Sequence, residues 1–266
     1  MKKLIFSLLA ISLLMTSCDD GWGIFDGGKR ITGKGAVERT TRDLKDFKSI
    51  DLSTSADVFV KQGTAFKVEV EAQKNVAELF ETVVENGVLI LKLKSGTWNL
   101  SYDKLNVYVE MPSIEALNIS SSGNITAETA ISSDNITLRV SGSGNILADK
   151  GVTAKTVKIG VTGSGDIQAS GISTGDLATE ITGSGGLELS GTADKADYSV
   201  TGSGNIAAKN VKSKTVNANI TGSGDISCHA DEAIDAHSGG SGDITYSGNA
   251  TSVKSKASGS GSVSKE

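Results

Sequence analysis

Apolar residues in the second half of this chain keep step with a short polar motif, Gly-Ser-Gly followed by Asn or Asp and then Ile. The second glycine of the motif falls at 123, 144, 165, 185, 204, 224, 242 and 261, so successive copies lie 18 to 21 residues apart. Two residues after it stand Ile125, Ile146, Ile167, Leu187, Ile206, Ile226, Ile244 and Val263. Four after it stand Ala127, Ala148, Ala169, Leu189, Ala208, Cys228 and Tyr246. Four before it run Ile119, Val140, Val161, Ile181, Val200 and Ile220, and eight before it Ile136, Val157, Leu177, Val216, Ile234 and Val253. Apolar columns two residues apart carry the period of a strand, not of a helix. Each unit is therefore expected as strand, tight turn, strand and a looser third side, where Ile131, Val152, Ile172 and Val211 add an inward residue.

One such unit cannot bury its own apolar face, but stacked copies can. Coils about 4.8 Å apart place isoleucine over isoleucine and let backbone groups pair with the coils above and below. The turn glycines Gly144, Gly165, Gly185, Gly204, Gly224 and Gly242 then align along one corner. The expected fold is all-β, a single-stranded parallel β-helix in which one coil takes one motif repeat. A leucine-rich repeat has a similar period, but these units lack its leucine pattern and any helical segment.

Before the regular coils, residues 36–112 keep the β pattern while the repeat blurs. Ile50, Leu52, Val58 and Val60 fit the repeat frame with Ala56 in the glycine slot, a degenerate coil. Further alternating strands are expected at 66–71, at 88–93 after the turn Glu85-Asn86-Gly87, and at 105–109. A short helical turn fits 75–80, and Pro112 marks the start of the regular coils, 113–266. The wider spacing and the aromatics Phe66, Phe80, Trp98, Tyr102 and Tyr108 predict broader coils that cap the solenoid.

Residues 1–17 read as a signal peptide, with Lys2 and Lys3 ahead of an apolar run from Leu4 to Met15. Met15-Thr16-Ser17-Cys18 resembles a bacterial lipobox, which predicts cleavage before Cys18 and lipidation of its thiol. That lipid would be the chain's link to a membrane, since the apolar run is short for a spanning helix. Residues 18–35 read as a glycine-rich tether. Its Asp19-Asp20 resembles the export signal of surface lipoproteins, so the expected location is the outer membrane, facing the cell surface. Without Lys2 and Lys3 the chain has 24 basic and 31 acidic residues, a formal charge of −7. That balance argues against nucleic acid and against electrostatic binding to an anionic bilayer.

The lipobox, the alternating N-terminal half ending at Met111-Pro112 and the repeated Gly-Ser-Gly-Asn/Asp-Ile together resemble the head GIN domain family, the putative auto-transporter adhesins of Bacteroidetes. The resemblance implies a right-handed β-helix shaped like pectin lyases but without their catalytic residues. It also implies a role in cell adhesion, with a surface glycan or protein as ligand. Fold alone does not establish function.

Few residues invite chemistry. Cys228 and His229 are adjacent, so on a strand they face opposite ways and form no dyad. Cys228 occupies the alanine column and is expected as a buried filler, while His229 and His237 are expected at the surface. The column after the key glycine reads Asn124, Asn145, Asp166, Gly186, Asn205, Asp225, Asp243 and Ser262, residue types that cap tight turns. Asp225 and Asp243 would be neighbours one coil apart, which makes them the candidates for a calcium ion. No cofactor is implied. The alternative to a binding module is a polysaccharide lyase or hydrolase. It would need outward carboxylates clustered across coils, yet the column five before the glycine (Asn118, Arg139, Gly160, Glu180, Ser199, Asn219, His237, Lys256) looks scattered.

The strand phase is testable by thermal melts of two variants. Ile167→Asp should put an unpaired carboxylate between Ile146 and Leu187 and cost roughly several kcal/mol. Gln168→Asp, one residue on and facing outward, should stay within about 0.5 kcal/mol of the parent. Equal losses would place the phase one residue out.

Overall fold

In a computed structural model the chain is described over residues 30–96 and 99–266. The signal peptide, Cys18 and the tether before Arg30 lie outside the described residues, as does Trp98. Strand, wound into stacked parallel coils, makes up 67% of the rest and helix 2%.

The columns read from the sequence are the rows of this solenoid. On one face Ile119, Val140, Val161, Ile181, Val200 and Ile220 pair in succession. On the next, Ile125, Ile146, Ile167, Leu187, Ile206, Ile226, Ile244 and Val263 do the same. The third face stacks Ile131, Val152, Ile172, Gly191 and Val211. From Ile125 to Ile244 the isoleucine row is at most 2% exposed. Burial of each such side chain contributes about 1.5–3 kcal/mol. A further inward row lies six residues before the glycine: Leu117, Leu138, Ile159, Thr179, Tyr198, Ala218 and Ala236. All seven are buried.

Between the first two faces the chain turns at Gly-Ser-Gly, and there successive coils come closest. A Cβ on Gly144, Gly165, Gly185, Gly204, Gly224 or Gly242 would overlap the carbonyl oxygen of the equivalent glycine in the coil before it. The first glycine is constrained as well: Gly163, Gly183, Gly202 and Gly222 have φ between 121° and 137°, where only glycine is unstrained. Its carbonyl takes two N–H donors from the next coil. Gly183 O, for example, accepts from Ser203 N at 2.8 Å and Gly204 N at 3.0 Å. Variation in coil length is absorbed elsewhere. The register shifts lie between Ala169 and Ile172, between Glu188 and Ser190, and between Ala207 and Lys212, after the second face, and between Ser213 and Thr215, after the third.

In the N-terminal region spatial order departs from chain order. Ser49–Leu52 and Asp57–Gln62 form a coil with Ala56 at its corner, and this coil pairs with Ala116–Ile119 and Asn124–Ala127. Its other side is covered by strands later in the chain, Val88–Leu93 and Leu105–Met111. After the outer strand Val37–Arg42 the chain thus lays down a coil one layer in, builds the end outside it, and crosses back. Between Leu91 and Asn106 the outer coil takes a far longer path than the inner coil takes from Leu52 to Asp57, so no corner backbone crowds the Cβ of Ala56. Lys67–Gln73 then pairs antiparallel to Leu105–Met111, Val37–Arg42 to Lys67–Gln73, and Phe80–Glu85 to Val88–Leu93. The helical turn is Lys74–Ala77. These antiparallel strands close the end of the solenoid and blunt its edge with charged residues.

Candidate functional site

The Asn/Asp column runs along the glycine corner as a ladder of side chains bonded to neighbouring coils. Asn145 Nδ2 donates to Asn124 Oδ1 at 3.0 Å, and the backbone N–H of Gly186 donates to Asp166 Oδ1 at 2.7 Å. Asp225 N donates to Asn205 Oδ1 at 2.8 Å, Asp243 N to Asp225 Oδ1 at 2.8 Å, and Ser262 N to Asp243 Oδ1 at 2.7 Å. The Ser262 hydroxyl and then its backbone N–H hold the Asp243 carboxyl below the usual aspartate range. One carboxylate oxygen of Asp225 and one of Asp243 therefore satisfy the backbone of the next coil. Among the described residues no group of three or more His, Cys, Asp or Glu is placed to hold a metal ion.

Cys228 is 1% exposed, and burial pushes its thiol up to about 12. His229 is half-buried rather than exposed, because the adjacent coil and its own strand supply partners. Its Nδ1 lies 3.0 Å from Ser247 Oγ and its Nε2 lies 3.0 Å from Asp231 Oδ1. Composition alone makes this a Ser-His-Asp set. The cavity that reaches Asp231, however, is lined by Lys155, Lys212 and Lys214 and by neither His229 nor Ser247. His237 is half-buried too, on the face that carries Ile220.

That face holds the best-defined recess, a groove of about 270 Å³ along the outside of the coils. Two outward ranks and Thr162 build most of it, aligned by strand register. Arg139, Gly160, Glu180, Ser199 and Asn219 form the middle rank, and Lys158, Ala178, Asp197 and Asn217 run beside it. Thr162, Thr182, Thr201 and Thr221 make an exposed hydroxyl row on the other side. Because the middle rank alternates in charge and size, the groove it lines was hidden in the sequence. The signal was present all the same, as a single glycine in an outward column.

Gly160 differs from the corner glycines. Its φ is not positive, and an added Cβ would meet only Glu180 O at 3.8 Å and Arg139 Nε at 4.0 Å, ordinary contacts. Glycine inside a strand costs about 0.5–1 kcal/mol relative to alanine, so the backbone gains nothing from it here. What it does is leave a slot between Arg139 and Glu180. Among the described residues, Arg139, Lys158 and Glu180 have no ion pair or side-chain hydrogen bond, although neighbours elsewhere are paired, as Lys195 Nζ is with Asp197 Oδ2 at 2.8 Å. The groove therefore presents the Arg139 cation on one side of Gly160, the Glu180 carboxylate on the other, Lys158 beside Gly160 on its own strand and amides beyond, all able to bond a polar ligand.

Beneath the groove the Tyr198 and Ser213 hydroxyls are buried without a hydrogen-bond partner of good geometry. Burial raises the Tyr198 hydroxyl above the usual phenol range, opposed only by the nearby Ser213. A second outward cluster lies at the capped end, where Phe59 and Tyr108 stack at 5.2 Å and the Arg39 guanidinium sits 3.9 Å from the Tyr108 ring centroid. Its groups satisfy one another. Tyr108 donates to Glu71 Oε2 at 2.9 Å, and Lys104 and Arg39 pair with Glu71 at 3.3 and 3.4 Å. Burial alone would raise the Glu71 carboxyl, but the Tyr108 and Lys104 hydrogen bonds and the two cations outweigh it and hold it low. This cluster ties the antiparallel strands to the first coils.

A family model described as "putative auto-transporter adhesin, head GIN domain" matches residues 46–250. Among solved structures, the chain is similar to a "putative lipid binding protein" from Parabacteroides distasonis ATCC 8503. The two are 30% identical with a TM-score of 0.84, over 90% of this chain and 100% of that one. A "putative adhesin" from the same organism is 22% identical with a TM-score of 0.85, over 89% of this chain and 100% of that one. Another, from Parabacteroides merdae ATCC 43184, is 24% identical with a TM-score of 0.84, over 89% and 99%. At those last two identities the likeness is one of fold. No curated protein matches the chain.

The Cys228 environment predicts a thiol that a maleimide labels slowly in the native protein, even at pH 9, and rapidly in urea. Fast native labelling would put Cys228 outside the core and the inward columns out of register.

Proposed function

Because the chain belongs to the head GIN domain family, described as putative auto-transporter adhesins, we propose that it is a non-catalytic binding module for adhesion. In this reading the lipid on Cys18 anchors it in the outer membrane and the solenoid is displayed at the cell surface. The groove over Gly160 is the binding surface. The observation that carries the reading is the set of unpaired polar and charged side chains around a slot that the backbone does not require. Strand pairing on both sides fixes their spacing, so little ordering is needed when a ligand binds. The solenoid's interior is filled by its own side chains. Lipid binding of the kind named for one structural neighbour would therefore involve the outer surface.

A second reading, elimination or hydrolysis on a bound polysaccharide, draws on Glu180 and Asp197 lining the same groove. Lys195 holds Asp197 as an ion pair, and Glu180 is exposed and left without a second free carboxylate to work with. Binding is the better-supported function.

Immobilised full-length chain should retain glycan or matrix-protein ligands saturably while leaving polyuronates intact. Turnover that disappears in Glu180→Gln would reverse the assignment to an enzyme. For the anchor, a clickable fatty acid fed to cells should label the chain and not its Cys18→Ala variant. Equal labelling of the two would remove Cys18 as the attachment point.

A further inference from the structure

The slot has a polarity. Arg139 stands one coil to one side of Gly160 and Glu180 one coil to the other, while Lys158 lies two residues before Gly160 on the same strand and Asn219 two coils beyond Glu180. Coils are about 4.8 Å apart, so the Arg139 and Glu180 rows lie about 9.6 Å from backbone to backbone on either side of Gly160. Gly160 projects nothing between them, and the Arg139 side chain leans over it, its Nε 4.0 Å from where a Cβ on Gly160 would stand, so a sugar ring seated there lies against the guanidinium.

We propose that this slot is the subsite for a uronic acid unit of an acidic polysaccharide. The sugar carboxylate lies against Arg139, with Lys158 adding positive charge alongside, and its ring hydroxyls donate to Glu180. The inference rests on the groove being the binding surface and adds the class of ligand. Three alternatives fit less well on charge alone. A neutral sugar leaves both cations without a partner. A phosphate or other multiply charged anion meets the cations but also faces the Glu180 carboxylate across the slot. A cationic ligand pairs with Glu180 and is repelled by Arg139 and Lys158. A uronate carries its one negative charge at one edge of the ring and hydroxyls at the opposite edge, which matches the slot. The guanidinium adds geometry as well as charge, because it bonds a carboxylate through two parallel N–H donors. Because the ranks repeat with every coil, the next unit of a polymer finds Ser199 and Asn217 farther along the same line.

Calorimetric titration of the full-length chain tests this, with tetragalacturonate as the acidic probe and galactotetraose as the neutral one. The acidic tetramer should bind at least about tenfold tighter, and Arg139→Gln should remove most of that difference. Gly160→Val should abolish binding while leaving the melting temperature unchanged or higher, which separates a filled slot from a broken fold. Tetragalacturonate binding that survives Gly160→Val overturns the proposal. Equal binding of the two tetramers, lost in Gly160→Val, overturns the acidic ligand class and leaves the groove as the binding surface. If neither tetramer binds while the chain still adheres to other glycans or proteins, the uronate assignment is wrong and adhesion stands.

Discussion

The structure depends on how closely successive coils approach at the Gly-Ser-Gly corner. A side chain at the second glycine would occupy the space of the equivalent carbonyl oxygen in the preceding coil, right beside the first glycine's carbonyl that takes two N–H groups of the next coil. With glycine in every copy, the corner backbones stack directly and the residues on either side fall into straight rows. The isoleucine row, the Asn/Asp ladder and the outward ranks all inherit their alignment from this contact. The opposite corner is looser and takes up the differences in coil length. One corner is rigid and one is elastic, so a repeat of uneven length still makes an even stack.

Alignment of that kind turns an unremarkable surface into a groove with ordered charges. Arg139, Gly160 and Glu180 are about twenty residues apart in the chain, yet strand pairing places them side by side. Two kinds of glycine meet different needs here. Corner glycines let backbones touch, whereas Gly160 keeps a space open beside charges that have no internal partner. The cluster at the capped end shows the opposite outcome, since Arg39, Glu71, Lys104 and Tyr108 bond to one another and leave little for a ligand.

Much of the fold was legible because most inward columns are chemically uniform, and uniform columns can have only one register. The row six before the glycine escaped notice because it mixes Leu138, Thr179, Tyr198 and Ala218. Its members compensate in volume, the Tyr198 ring standing beside Ala218, so no single residue type announces it. The crossing at the N-terminal end was not legible either. Alternation tells which way a side chain points, not which strand lies next door, and nothing in 88–111 says that it flanks 49–62 from outside. Ala56 in the glycine slot was readable as a coil, although its tolerance became clear only from the long path of the outer chain. His229 was expected at the surface, but its environment is set by Ser247 from another coil. The groove was the least legible feature, since a slot is defined by a side chain that is missing.

If close backbone contact at the corner governs the stack, glycine should be irreplaceable there and replaceable in the groove. Urea unfolding of Gly204→Ala and Gly160→Ala compares the two directly. Overpacking against a backbone carbonyl should cost Gly204→Ala about 2 kcal/mol or more. Gly160→Ala should equal the parent or exceed its stability by about 0.5–1 kcal/mol, since alanine is the better strand residue where its Cβ has room. A Gly204→Ala variant as stable as the parent would contradict the account, because the corner could then hold its register without the contact on which every row depends.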